Sequence, residues 1–196
     1  MIGIIDYNFG NVSALCSTLN ELDLNYKIIS EPNDMENISH IIMPGVGSFD
    51  NVIQNLVSSG LSAYLCQRKD LKVLGICIGM HILGDRSEEG IMPGLGILPG
   101  TVVKLENKLR TPHLGWNSVK LPITSKLFQN VDLDDGFYFL HNYMFLSENK
   151  GNDIAFTNYG QTIVSAVSDG RIYGVQFHPE KSGVNGKTLI KNFSEL

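Results

Sequence analysis

Short apolar runs alternate with segments of helical spacing through the first half of the chain. Ile2-Gly3-Ile4-Ile5 is an apolar run stopped by Asp6-Tyr7-Asn8-Phe9-Gly10, which predicts a buried strand and a loop. Val12, Leu15, Leu19 and Leu22 then recur at helical spacing, with Asn11 as the capping residue. Tyr26-Lys27-Ile28-Ile29 and Ile41-Ile42-Met43 predict two more strands, the second stopped by Pro44-Gly45-Val46-Gly47. Helical patterns cover Phe49 to Val57 and Leu61 to Gln67. Leu71 to Gly75 predicts a fourth strand, and Met80 to Leu83 a helix beyond it. Strand and helix alternating in this way predict βαβ units, hence an α/β fold with a mostly parallel central sheet and helices on both faces.

From about Ile97 the texture changes to short alternating segments: Thr101 to Leu105, Phe137 to Leu140, Asp153 to Thr157, Thr162 to Val167 and Arg171 to Phe177. These predict antiparallel strands and hairpins in the C-terminal half, with Ser168-Asp169-Gly170 a tight turn between the last two. Leu189 to Phe193 closes the chain as a short helix. No internal repeat, low-complexity tract or linker divides the sequence, so one domain over 1–196 is expected.

Composition narrows the class. The 196 residues are 43% hydrophobic and 18% charged, as in an ordinary globular protein. Fifteen Lys+Arg against twenty Asp+Glu leave a net charge of -5 with no basic run, which argues against nucleic acid or an anionic membrane as partner. The amino terminus has no basic n-region, and the longest apolar stretch, Val73 to Leu83, is too short to span a bilayer and contains His81. Three cysteines, Cys16, Cys66 and Cys77, are an odd number in a chain large enough to fold without bridges. A reducing, cytoplasmic home is expected.

Gly75-Ile76-Cys77-Ile78-Gly79 lies between a predicted strand and a helix. A G-x-nucleophile-x-G turn there puts its central residue on a strained corner above the sheet, with glycines where side chains would clash. Cys77 would stand at a helix amino terminus, which favours a thiolate, and the Ile78 N–H would point toward an oxyanion. The pentapeptide also fits a small apolar cysteine in a tight turn, and both readings stand on these residues alone. Cys16 and Cys66 fall inside amphipathic helices and read as core. Gln176-Phe177-His178-Pro179-Glu180 ends the last predicted strand. Proline pushes His178 into an extended conformation, where residues at i and i+2 share a face, so Glu180 can orient the imidazole. A lone histidine at a strand end is ordinarily a surface group; the cysteine elbow, which needs a base, lifts this one. The glycines of Pro44-Gly45-Val46-Gly47 allow backbone N–H groups to face an oxyanion at the carboxyl edge of the sheet, although alone the segment reads as an ordinary turn.

Together these residues resemble the class I, triad-type glutamine amidotransferases, and within them the glutaminase subunits of imidazole glycerol phosphate synthase. The matches run in the family's order over nearly the whole chain: Ile4-Ile5-Asp6-Tyr7 with Gly10-Asn11, Pro44-Gly45-Val46-Gly47, Gly75-Ile76-Cys77-Ile78-Gly79-Met80, Ser87-Glu88-Glu89-Gly90 and Gly94-Leu95-Gly96. Pro112-His113, Gly115-Trp116-Asn117, His141 and Gly174-Val175-Gln176-Phe177-His178-Pro179-Glu180-Lys181-Ser182 follow. The resemblance implies a flavodoxin-like class I glutaminase fold and hydrolysis of L-glutamine to glutamate and ammonia. Cys77 would be the nucleophile and His178, oriented by Glu180, the acid and base. Ile78 N–H and backbone at Val46 or Gly47 would hold the oxyanion. Gly45, His81, Glu89, Asn142 and Tyr143 would meet the substrate, with Glu89 at its α-amino group and the Asn142–Tyr143 backbone at its α-carboxylate. No metal or organic cofactor is called for.

The family pairs as a heterodimer with a (β/α)8-barrel synthase that uses the ammonia to make imidazole glycerol phosphate and AICAR in histidine biosynthesis. Asn8 and Asn11, with Trp116, Asn117 and Lys181, match its partner-facing side. Three positions depart from the pattern: His81 where glutamine is usual, Asn8 where glycine is common, and Asn142 where serine is usual. They leave room for a paralogue supplying ammonia to amidate a bacterial surface sugar, or for a non-catalytic docking subunit. A stand-alone cysteine hydrolase is a further alternative.

Overall fold

In a computed structural model, which describes residues 1–8, 12–106 and 110–196, and Asp153 by its backbone alone, the alternating pattern becomes two layers of helices around one sheet. The strands are β1 (Ile2–Ile5), β2 (Tyr26–Ile29), β3 (His40–Met43), β4 (Lys72–Ile76), β5 (Arg86–Ser87) and β6 (Gly100–Lys104), followed by β7 (His113–Asn117), β8 (Phe137–His141), β9 (Tyr143–Ser147), β10 (Asp153–Asn158), β11 (Thr162–Asp169) and β12 (Ile172–Val175). The helices are α1 (Ser13–Glu21), α2 (Phe49–Ser58), α3 (Leu61–Gln67), α4 (Ile78–Leu83) and α5 (Gly183–Glu195). None of the described helices is long and apolar enough to cross a membrane.

Among the described residues the main sheet has seven strands in the order β10-β11-β12-β4-β3-β1-β2. Successive residues of its parallel strands face opposite sides, and both sides are buried, which is why Ile4 and Ile5 are alike apolar. Ile5, Ile41, Met43 and Val73 pack under α2, α3 and α4 through Phe49, Val52, Leu56, Leu61, Leu65 and Met80. Ile4, Ile42, Leu74 and Ile76 pack on the other side under α1 and α5 through Leu15, Leu19, Leu189, Ile190 and Phe193.

The C-terminal strands extend this sheet instead of standing beside it. β12 pairs parallel with β4, in register Val175↔Ile76, and antiparallel with β11, so the chain's antiparallel section is grafted onto the parallel one. Two smaller sheets, β5-β6-β9 and β7-β8, lie outside it. The sequence pattern does not announce β7, because its inward residues are the polar His113 and Asn117 while Leu114 and Trp116 face out. β9 escapes notice because only Asn142 separates it from β8, and the two read as one apolar run. Helix α4 begins at Ile78, two residues before the apolar periodicity, since the elbow itself starts the turn. Helix α5 is longer than the apolar stretch Leu189 to Phe193, whose periodicity is diluted by Gly183 and Gly186 in its first turn. Val12 occupies the N-cap position of α1 with no side-chain cap, and Asn11, expected there, lies outside the described residues.

Phe177, fully buried beyond the end of β12, stacks on Phe137 with ring centroids 3.9 Å apart and meets Phe128 and Phe139 edge-on. It joins the grafted strand to β8 immediately before His178. Truncating such an aromatic leaves a cavity and lost contacts, so Phe177→Ala is expected to cost about 3–5 kcal/mol in urea unfolding. A loss under ~1 kcal/mol would show that this cluster is not what anchors the segment.

Candidate active site

Strand register brings the candidate residues to one edge. Met43 pairs with Gly75 and Gly75 with Gly174, so the carboxyl ends of β3, β4 and β12 finish at one level. Gly45 and Cys77 each lie two residues past that level, and His178 four. This is the sheet edge where ligand sites collect in α/β folds.

Cys77 occupies the corner between β4 and α4 with φ 49° and ψ -110°, backbone that a residue with a Cβ rarely adopts. Its neighbours explain how the corner is held. A Cβ on Gly79 would lie 2.0 Å from the Met43 carbonyl oxygen, and one on Gly75 would lie 2.5 Å from the Gly79 carbonyl oxygen. The Cys77 N–H donates to Val175 O at 2.7 Å, tying the elbow to β12. The sulfur is largely buried, 3.7 Å from Leu140 O.

His178 is extended, φ -102° and ψ 96°, as a residue before proline should be. The chain then departs from the strand-like path expected for Glu180. Pro179–Lys181 form a 3-10 turn, and that turn carries the Glu180 carboxylate back to His178, Oε1 to Nδ1 2.8 Å. Proline's fixed φ suits the first position of such a turn. The segment is pinned from below: His178 N–H donates to Tyr138 O at 2.8 Å, and the Ser182 hydroxyl donates to His178 O at 2.6 Å. Gly45 closes the other side; a Cβ there would come within 2.7 Å of the His178 ring. Burial by itself would strip the imidazolium of its proton. The Cys77 sulfur, by charge and hydrogen bond, and then the Glu180 carboxylate, override burial and raise the His178 pKa to about 10.

Gly45, Gly47, Cys77, Ile78, His81, Glu89, Asn142, Tyr143, His178 and Lys181 line a cavity of about 230 Å³, together with Leu140 and His141. That is below the roughly 300–1,000 Å³ of sites for drug-sized ligands, and it suits a small metabolite. Val46 is not among the lining residues; it packs on the apolar core of the α2 side. Glu180 stands behind His178, outside the cavity. Burial, with Asp50 nearby, raises the Glu89 pKa against a bond from the Phe49 N–H, so its carboxylate gains most from an arriving cation. His81 is held well down, at about 4, chiefly by burial. One of its nitrogens, Nε2, is committed to Gln176 Oε1 at 3.0 Å, while Nδ1 is buried without a partner.

The sequence reading missed how the cavity's far wall is built. His141 Nδ1–H donates to the Tyr143 carbonyl at 2.8 Å, which leaves Nε2 to accept from His113 Nδ1–H at 2.9 Å. His113 Nε2 in turn accepts from the Asn117 amide at 3.1 Å. Each tautomer in this chain is fixed by the next, and burial holds both rings neutral, His113 to about 4 and His141 to about 3. Asn117, expected at a partner interface, thus has its amide engaged within the chain; it also donates to Asn158 O and accepts from the Ser118 N–H. Trp116 is 57% exposed on the outer face of β7, and Lys181 stands at the cavity with its ammonium 6.0 Å from the Tyr138 ring centre. Asn8 adopts φ 60°, with its N–H on Asp6 Oδ1, and is exposed. Asn11 lies outside the described residues.

Comparison with known proteins identifies the family. Residues 3–195 match the family described as Glutamine amidotransferase class-I. The chain belongs to the class-I glutamine amidotransferases. Among curated members it is 41% identical to the imidazole glycerol phosphate synthase subunit HisH of Bdellovibrio bacteriovorus, across 100% of both chains. It is 42% identical to the subunit of the same name from Leptospira borgpetersenii, again across 100% of both, and 42% identical to HisH 2 of Methanococcus maripaludis, across 98% of both. Solved structures agree in fold: a glutamine amidotransferase at TM-score 0.75 and 19% identity, covering 99% of this chain and 97% of that one. PurLQS from Thermotoga maritima follows at TM-score 0.72 and 16% identity, covering 99% and 97%.

This amidotransferase site sorts its histidines by charge, and NMR titration of the imidazoles can read that directly. His178 is expected to keep its proton through pH 9 and lose it near 10, with His81 and His141 neutral down to about 4 and 3. Cys77→Ala removes the leading cause that raises the His178 value, so its inflection should fall toward or below the ordinary histidine range. An inflection for His178 near 6.5 in the unaltered protein would contradict the ion-pair reading.

Proposed function

We propose that this chain is the glutaminase subunit of an imidazole glycerol phosphate synthase, hydrolysing L-glutamine at Cys77 and delivering ammonia to a (β/α)8-barrel synthase partner in a heterodimer. One observation carries it: the Cys77 elbow and the Glu180-oriented His178 converge on one small cavity at the sheet edge, in a chain whose curated relatives over their full lengths are named as subunits of that synthase. Their names favour this branch over surface-sugar amidation and over a docking subunit without chemistry.

The chemistry follows from the resting proton on His178. Cys77 Sγ bonds to the side-chain amide carbon of glutamine, and the carbonyl oxygen takes up the electron pair. The Ile78 N–H and the backbone of Gly47, φ 95°, both residues lining the cavity, would donate to that oxyanion. Val46 is retained only for its peptide group, since its side chain turns to the core. As the pair returns, the carbon–nitrogen bond breaks and His178 gives its proton to the departing ammonia. Neutral His178 then takes a proton from water, whose oxygen attacks the thioester. Glutamate leaves as the carbon–sulfur bond breaks. Glu89 would hold the α-ammonium of glutamine and the Asn142–Tyr143 turn its carboxylate. Gly45 fits its backbone against the His178 ring. His81, with Nε2 on Gln176 and Nδ1 buried, lines the cavity wall and is assigned no bond to glutamine.

Ammonia needs a route that excludes water. The outer face of the β7–β8 ribbon carries Leu114, Trp116, Tyr138 and Leu140 side by side, with Leu140 also lining the cavity and Lys181 between the two. Exposed apolar groups that adjoin a cavity mark a surface built to be covered. We assign the barrel partner to this face, with Trp116 and Lys181 as its principal contacts and Asn8 as a further contact; Asn11 lies outside the described residues. Asn117 contributes indirectly, by holding His113.

In the assembled complex, glutamine should yield glutamate, and Cys77→Ala should abolish that release while product formation from added ammonium continues. Glutamate release retained in Cys77→Ala would remove the nucleophile assignment.

A further inference from the structure

The Cys77 sulfur has a second polar neighbour that no motif reading assigned. Gln176, fully buried just beyond β12, lies with its carboxamide Nε2 3.7 Å from Cys77 Sγ. Its Oε1 lies 3.0 Å from Nε2 of His81. A carboxamide oxygen only accepts, so the His81 nitrogen facing it carries the proton. His81 is itself tied to the nucleophile: it follows Cys77 by one helical turn, and its N–H donates to Cys77 O at 3.1 Å. His81, Gln176 and the sulfur therefore form a closed line between α4 and the end of β12.

We propose that Gln176 is a catalytic residue whose N–H donates to the Cys77 sulfur, and that His81 is the positioning residue that holds the carboxamide oxygen away from it. The inference rests on the glutaminase reading above. The two orientations of a buried carboxamide fill the same volume and differ only in hydrogen bonding. With the oxygen toward sulfur, two electron-rich atoms would face each other. With His81 Nε2–H holding that oxygen, the N–H groups face the sulfur instead. The donor is then in place when negative charge gathers on sulfur before attack, and again when water expels it from the thioester. A fixed donor in a site shielded from water is worth more than one that must reorient from solvent.

The test uses the subunit assembled with its synthase, with co-elution and circular dichroism confirming that each variant folds and docks. Two readouts are taken: the rate of Cys77 alkylation by iodoacetamide without glutamine, followed by peptide mass spectrometry, and kcat and KM for glutamine. Gln176→Met, similar in size but with no donor, is expected to lower both alkylation and kcat about tenfold, with KM within about twofold. His81→Leu should lower them by the same factor, His81→Gln should restore them, and the double variant His81→Leu/Gln176→Met should lose no more than either single one. Gln176→Glu, which places an acceptor by the sulfur in the same volume, should lose more than Gln176→Met and reads the same contact should the methionine variant not fold. Alkylation and kcat at the unaltered level in either Gln176 variant would overturn the proposal. So would losses that multiply in the double variant, or a His81→Leu that changes KM alone. Alkylation requires no glutamine, so these outcomes are separate from failure of the unaltered complex to release glutamate, which would sink the glutaminase reading instead.

Discussion

The close approach of β3, β4 and α4 at Gly79 is the constraint on which the site depends. No side chain fits between Gly79 and the Met43 carbonyl, nor between Gly75 and the Gly79 backbone. Because the backbones meet there, the chain turns from strand to helix within one residue, and that residue is forced to a positive φ. Strain of this kind costs on the order of 1–3 kcal/mol and persists only where surrounding packing enforces it. The enforcing material is the double-sided core: buried isoleucines, leucines and valines on both faces hold β3, β4 and β12 in register, and the register fixes where Gly45, Cys77 and His178 emerge.

Around that corner, one type of side chain is used in opposite ways. His178, His81 and His141 are all buried, and burial disfavors the charged form of each. Only His178 has a carboxylate and a sulfur beside it, and only His178 is driven upward. His81 and His141 have carboxamide and carbonyl partners instead, so they remain neutral and serve as fixed hydrogen-bonding struts. The His141–His113–Asn117 chain runs from the turn at Tyr143 to the ribbon that carries Trp116. Buried polar chains of this sort are stable only when each member is satisfied, and here each ring nitrogen in the chain has its partner.

Much of this was legible from residue order. The parallel strands follow from Ile2-Gly3-Ile4-Ile5, Ile41-Ile42-Met43 and their kin, since a strand buried on both faces reads as a continuous apolar run. The elbow is legible because only a strand-to-helix corner asks for Gly75 and Gly79 around Cys77. Of the ribbon only β8 was, for β7 hides polar residues and displays apolar ones, which inverts the signal used to find strands. Nor was the route of Glu180 to His178, which depends on a turn after Pro179 and not on strand alternation. Val46 reads as part of a backbone anion site, yet its side chain answers to the core. Gln176 stands in the motif ahead of His178, but nothing in residue order points it at the sulfur; that contact exists only because β12 is grafted beside β4.

The most direct measurement is of the sulfur itself. Mixing the assembled complex with glutamine, quenching in acid on the millisecond scale and digesting for mass spectrometry should reveal a γ-glutamyl group on the peptide containing Cys77 and none on those containing Cys16 or Cys66. Glutamate produced at the full rate with no acyl group ever detectable at Cys77, or with the group found on another residue, would contradict the account.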